Sequence, residues 1–162
     1  MESISVNDEK TRQLLSYLID KHKIVTIASL MKLCYLSDLL SYQESKQQIS
    51  KFNYVHWYTG PYDKSVTDYL FELVKDGTVK VEIDYALDGS EYTRYSISNK
   101  NYKKDKLTQA DINNIEAVLY SLRDYGSKAL VEVTYKTKPM RALDASLENS
   151  RNIGKKLELS TK

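Results

Sequence analysis

Apolar positions in the first part of the chain recur at helical spacing, with Leu14, Leu15, Leu18 and Ile19 on one side. Asn7 or Asp8 stands where an N-cap belongs, so the pattern predicts a first helix reaching to about Lys21. Thr26 is the next candidate cap. The stretch after it, IASLMKLCYLSDLLSYQ, is apolar on nearly every face: Ile27, Leu30, Met31, Leu33, Cys34, Leu36, Leu39 and Leu40 leave no polar stripe. A helix of that kind is buried all round, which makes it the expected centre of the fold. A connector over 44–62 follows, dense in ring side chains: Tyr54, His56, Trp57, Tyr58 and Tyr62. A third helix is expected from Asp63 to Lys75, with Val66, Tyr69, Leu70, Leu73 and Val74 at helical spacing and Gly77 as its stop.

The period then changes from 3.6 to two. Val79, Val81, Ile83 and Tyr85 alternate with Lys80, Glu82 and Asp84, and Thr93, Tyr95 and Ile97 answer them after the turn signal Asp88-Gly89. This predicts a two-stranded hairpin with one packed face. Residues 99–106, NKNYKKDK, read as a solvated loop. Thr108 is placed to cap a fourth helix carrying Ile112, Ile115, Val118, Leu119 and Leu122, ended by Gly126; Ser127 is placed to cap a short fifth with Leu130 and Val133. The predicted fold class is mainly α (α+β): a helical domain with a small two-stranded hairpin, in a winged-helix-like order. One domain is expected over 1–145, then a tail over 146–162 that is partly helical or mobile.

Composition narrows the chemistry. No apolar run approaches the roughly 20 residues that span a membrane, and the polar, acidic start, MESISVNDEK, lacks the form of a signal peptide. The single cysteine, Cys34, has no internal disulfide partner, so a cytoplasmic location is expected. Cys34, His22 and His56 are the only soft metal ligands, and none lies at ligand spacing from another. A glycine-rich phosphate loop is absent, and the carboxylate pairs Asp63/Asp68 and Glu82/Asp84 read as solvated helix and strand faces. The expectation is a non-catalytic protein without a cofactor.

Charge bears on partners. Residues 1–99 hold 11 Lys/Arg against 14 Asp/Glu, whereas 100–162 hold 13 against 8. The third helix, as a major-groove reader, would present Lys64, Asp68, Glu72 and Lys75, and the hairpin wing is rich in acid. That is a poor set for phosphates and base edges, so nucleic acid is possible but not favoured. Fourteen tyrosines suit a protein-binding surface, although gene base composition explains them equally well.

Lys32, Leu33, Tyr35, Leu36 and Asp38 on the central helix and the turn Trp57-Tyr58-Thr59-Gly60-Pro61 form a distinctive pair of motifs. In them the middle of the chain resembles the Panacea domain of SocA-like antitoxins, a family associated with phages and mobile elements. Thr59 stands where the family usually has Tyr, and Met140 where a later segment, VTYKTKPMRAL, usually has an aromatic. The resemblance implies an antitoxin that neutralises a neighbouring toxin by direct protein–protein binding; some relatives hand the toxin to a protease as adaptors. Two other readings stay open: a winged-helix-like DNA-binding transcription regulator and a proteolytic adaptor. Lys32, Leu33, Tyr35, Asp38, Trp57, Gly60 and Pro61 are then fold-defining, with Trp57 expected to anchor the connector on the central helix. Tyr58, Tyr62 and His56, with Lys64 and Asp68 on the third helix, are the expected toxin contacts.

Overall fold

The computed structural model describes residues 6–23, 25–146 and 151–161. Helices α1 (Val6–Lys21) and α2 (Ile27–Ser45) come first, followed by short strands β1 (Val55–Trp57) and β2 (Gly60–Tyr62). Helix α3 (Ser65–Lys75) leads into a longer hairpin of β3 (Val79–Tyr85) and β4 (Glu91–Ile97). Helices α4 (Gln109–Ser121), α5 (Ser127–Tyr135) and α6 (Lys138–Ala142) complete the fold, which is mainly α with two small antiparallel sheets. Helix α2 is its axis. Every residue from Ser29 to Leu39 is buried, and α1, α4, α5 and β2 pack around it. A helix so enclosed needs no polar stripe, which is the pattern its sequence shows.

Helix boundaries follow cap chemistry. Thr26 caps α2 with a capping box: its hydroxyl accepts the Ser29 amide, and the Ser29 hydroxyl accepts the Thr26 amide. Thr108 and Asp111 repeat the device at α4. Helix α3 ends in a Schellman arrangement, with the Thr78 and Gly77 amides donating to the carbonyls of Leu73 and Val74 and Gly77 at φ +85°. Four expected boundaries shift, among them the end of α4, which closes at Ser121 rather than at Gly126. Helix α1 already runs at Val6, so Asp8 lies inside its first turn, where it meets Lys51 and Tyr69; the Asn7 side chain lies outside the described residues. Helix α3 starts at Ser65 because Asp63 serves its entrance, taking the Ser65 amide on its carboxylate and the Val66 amide on its carbonyl. Gly126, not Ser127, is the N-cap residue of α5.

Larger differences lie in the non-helical parts. The β3–β4 hairpin pairs from Val79↔Ile97 to Tyr85↔Glu91, but only its root packs. Val79 and Tyr95 are buried, and the Tyr95 amide donates to the Val25 carbonyl (2.8 Å). Val81, Ile83 and Tyr85 are 45%, 63% and 62% exposed, so the expected packed face does not continue along β3 beyond Val79. The loop over 99–106 is largely exposed, as expected, and it is also strapped to α1: the Gln13 side chain donates to Asp105 and accepts the Lys106 amide, and the Tyr102 hydroxyl donates to Asp20.

The C-terminal segment departs most from expectation. Residues 154–157 lie along the free edge of β1, with the Leu157 amide on the Tyr54 carbonyl and the His56 amide on the Lys155 carbonyl (both 2.9 Å). Leu157 and Leu159 are buried in the core. Around this edge pairing residues 151–161 form turns, held by the buried Leu157 and Leu159; residues 147–150 of the expected tail lie outside the described residues. An exposed strand edge needs backbone partners, and this segment supplies them.

Candidate functional site

The aromatic connector is built from its base upward, and the base is Asp38. Its carboxylate is fully buried on α2. One oxygen accepts the backbone amides of Ile49 and Ser50 (both 2.9 Å), and the other accepts the hydroxyls of Ser50 (2.5 Å) and Tyr54 (2.6 Å). Burial pushes the Asp38 pKa above its ordinary value, and the four hydrogen bonds oppose that shift. Without them a carboxylate in this core would be strongly unfavourable. The acid thus folds residues 49–54 back onto α2, where the Tyr54 ring packs edge-on against both Tyr35 and Phe52.

Beyond Tyr54 the chain makes a tight hairpin. Val55↔Tyr62, His56↔Pro61 and Trp57↔Gly60 are the paired positions, with Tyr58-Thr59 as a two-residue turn. Strand alternation separates the rings into two sets. His56 and Pro61 face inward and are buried; Trp57 and Tyr62 stack on the other side at 5.5 Å between centroids. Gly60 sits at φ +119°, and a Cβ there would meet the Thr134 hydroxyl at 3.2 Å. Only glycine fits that combination of backbone and close approach.

Two expectations change at this hairpin. Trp57 is 40% exposed, so it does not anchor the connector in the core; inward-facing His56 does that instead. His56 is fully buried and cannot touch a partner, which removes it from the contact surface. The other expected contacts are accessible to different degrees: Tyr58 is 63% exposed, Lys64 and Asp68 are exposed, and Tyr62 is half-buried. The ring of Tyr58 packs edge-on to Trp57 at 5.1 Å. Behind the hairpin stands α5. Tyr135 lies edge-on to the His56 ring at 5.8 Å, and its hydroxyl is 3.4 Å from the Trp57 carbonyl. Below it the hydroxyls of Tyr35 and Thr137 are 2.7 Å apart, and Thr137 donates to the Thr134 carbonyl, tying α5 to α2.

Residues 30–139 match the family described as Antitoxin SocA-like, Panacea domain. The match covers both the Lys32–Asp38 helix and the Trp57–Pro61 turn. The chain belongs to that family. No curated protein and no solved structure matches it. In this Panacea domain the motif residues Lys32, Leu33, Tyr35, Asp38, Gly60 and Pro61 are all buried. Their positions therefore set the hairpin's attachment to α2 rather than its outer surface.

The site carries little reactive chemistry. The Cys34 thiol is fully buried, and burial followed by the neighbouring Asp38 charge pushes its pKa well up, away from the thiolate. Lys32 is buried with its ammonium on the Ala28 carbonyl (3.1 Å), and desolvation lowers its pKa. Among the described residues no group of three or more His, Cys, Asp and Glu is placed to hold a metal ion, and no helix is long and apolar enough to cross a membrane. Sequence reading missed Ser50, Tyr54 and Tyr135 as supports. A signal existed for the first two: an Asp on an all-buried helix demands donors, and Ser50 and Tyr54 lie in the connector just beyond it. Tyr135 had none, because its partner His56 lies 79 positions away.

Proposed function

We propose that this protein is the antitoxin of a toxin–antitoxin pair and neutralises a toxin encoded beside it by direct protein–protein binding. Family membership supports the antitoxin class. The observation that carries the binding mode is the rigid aromatic hairpin, fixed from beneath by Asp38, from behind by Tyr135 and along its edge by residues 154–157. Rings held in place before binding lose little conformational entropy when a partner covers them. The contact surface is the outer side of that hairpin with the start of α3: Tyr58, Tyr62, Lys64 and Asp68, with Trp57 taking the place of His56. The protein acts without a cofactor and without catalysis, in the cytoplasm, as part of a prophage or other mobile-element locus.

The wing favours a protein partner over DNA. Arg94, its main cation, is engaged with Glu82 (3.2 Å) and Asp84 (3.8 Å), and its outer residues Val81, Ile83, Tyr85 and Leu87 are apolar and exposed. Phosphates need free cations there.

The test is growth of cells expressing the adjacent gene alone and together with this chain, followed by affinity measurement on the purified pair. Toxicity alone and rescue on pairing support the reading. Tyr58→Ala and Tyr62→Ala should each weaken binding about tenfold or more, as aromatic contacts central to an interface do, with the melting transition retained. A harmless neighbour overturns the antitoxin reading; rescue with unchanged affinity in both variants overturns the surface alone.

A further inference from the structure

On another face of the molecule α2, α4 and the α5–α6 corner enclose a groove of about 440 Å³. Its floor is apolar: Leu36, Leu39 and Leu40 from α2, Val118 and Leu122 from α4, and Val133 from α5. Along one margin stand Lys136, Lys138 and Arg141, and among the described residues no acidic side chain lines the groove. None of these three cations has an ion-pair partner among the described residues. The volume lies in the range of binding pockets, but the polar groups sit on the rim rather than converging inward as a small-molecule site requires. Of the hydroxyls, Thr137 is already committed to Tyr35 and the Thr134 carbonyl.

We infer that this groove docks an amphipathic helical segment of a protein partner, one whose apolar stripe is bordered by Asp and Glu. Leucine-type side chains at helical spacing would fill the floor between α2 and α4, while the acidic border would lie against Lys136, Lys138 and Arg141. The three cations set polarity and orientation, because a basic border there would meet uncompensated like charge. The inference does not depend on the antitoxin reading: the groove is built from different residues than the aromatic hairpin, and the partner is defined by its chemistry alone.

Two designed peptides of about 18 residues, long enough for several helical turns, provide the probes. Both carry the same leucine stripe; one is bordered by Glu and the other by Lys. Fluorescence anisotropy with the full chain should show the acidic peptide bound at least about tenfold more tightly at low salt, with the gap narrowing as salt screens the rim. The double variant Lys138→Glu/Arg141→Glu changes two exposed side chains, so its fold is expected to persist, and it should invert the preference. Leu40→Glu should weaken both peptides. Equal binding of the two, binding of neither, or no inversion in the double variant overturns the proposal. So does concentration-dependent self-association in light scattering that Leu40→Glu removes, since the occupant would then be a second copy of this chain.

Discussion

Removing the Asp38 carboxylate is the sharpest probe of how the connector is held. Four donors converge on it at 2.5–2.9 Å: the amides of Ile49 and Ser50 and the hydroxyls of Ser50 and Tyr54. In Asp38→Ala the two amides have nowhere to turn, and each buried orphan donor costs about 1–3 kcal/mol. The hydroxyls can rotate, so their loss is smaller, and relief of a buried charge offsets part of the total. The net is a loss of about 4 kcal/mol, a large share of the roughly 5–15 kcal/mol that stabilises a domain. Asp38→Asn should cost less, about 2 kcal/mol, because its carbonyl still accepts two amides and its neutral head carries no charge to desolvate. Urea unfolding followed by far-UV circular dichroism gives the global value. Fluorescence of Trp57, the single tryptophan, reports the connector directly. Loss of the connector ahead of the helices would appear as a Trp57 transition at lower urea. If Asp38→Ala costs under about 1.5 kcal/mol with an unchanged denaturant slope, or if Asn costs more than Ala, the carboxylate does not hold the connector.

Three further outcomes follow from the same structure. Trp57→Ala should lose about 2 kcal/mol, short of the 3–5 expected for a fully buried ring, because the side chain keeps substantial solvent exposure; a larger drop in the urea midpoint would show that its stack on Tyr62 is part of the core. Gly60→Ala should cost about 1–3 kcal/mol through its positive φ and the close approach to Thr134, and adding Thr134→Ala should restore only part of it; full restoration would make the contact, not the backbone, the cause. His22 is partly desolvated, which lowers its folded pKa below the ordinary value of about 6.5. The folded state then binds fewer protons than the unfolded chain, so His22's contribution is complete above pH 6.5 and fades as pH falls through the folded pKa. Stability measured from pH 7.5 to 5 should decline, with a shallower slope in His22→Gln; equal slopes would sink this assignment.

Local pattern carried the helical scaffold. The run at 27–43 that is apolar on nearly every face, the capping pairs Thr26/Ser29 and Thr108/Asp111, and the Gly77 stop all act within a few residues, so the sequence alone specified α2, the start of α4 and the end of α3. The motif residues Lys32–Asp38 and Trp57–Pro61 were likewise legible, and they indicated the family before any fold was known. Tertiary structure decided which side of each motif faces the core. Alternation could not say whether His56 or Trp57 points inward, and α5 settled it by setting Tyr135 against the His56 ring. The β3–β4 stripe has the pattern of a core face, yet Val81, Ile83 and Tyr85 stay exposed, because a period of two marks one face of a strand without saying what covers it. The 151–161 segment lacked any strong period and still became structural, since the edge of β1 left backbone donors and acceptors that only a distant stretch of chain could satisfy.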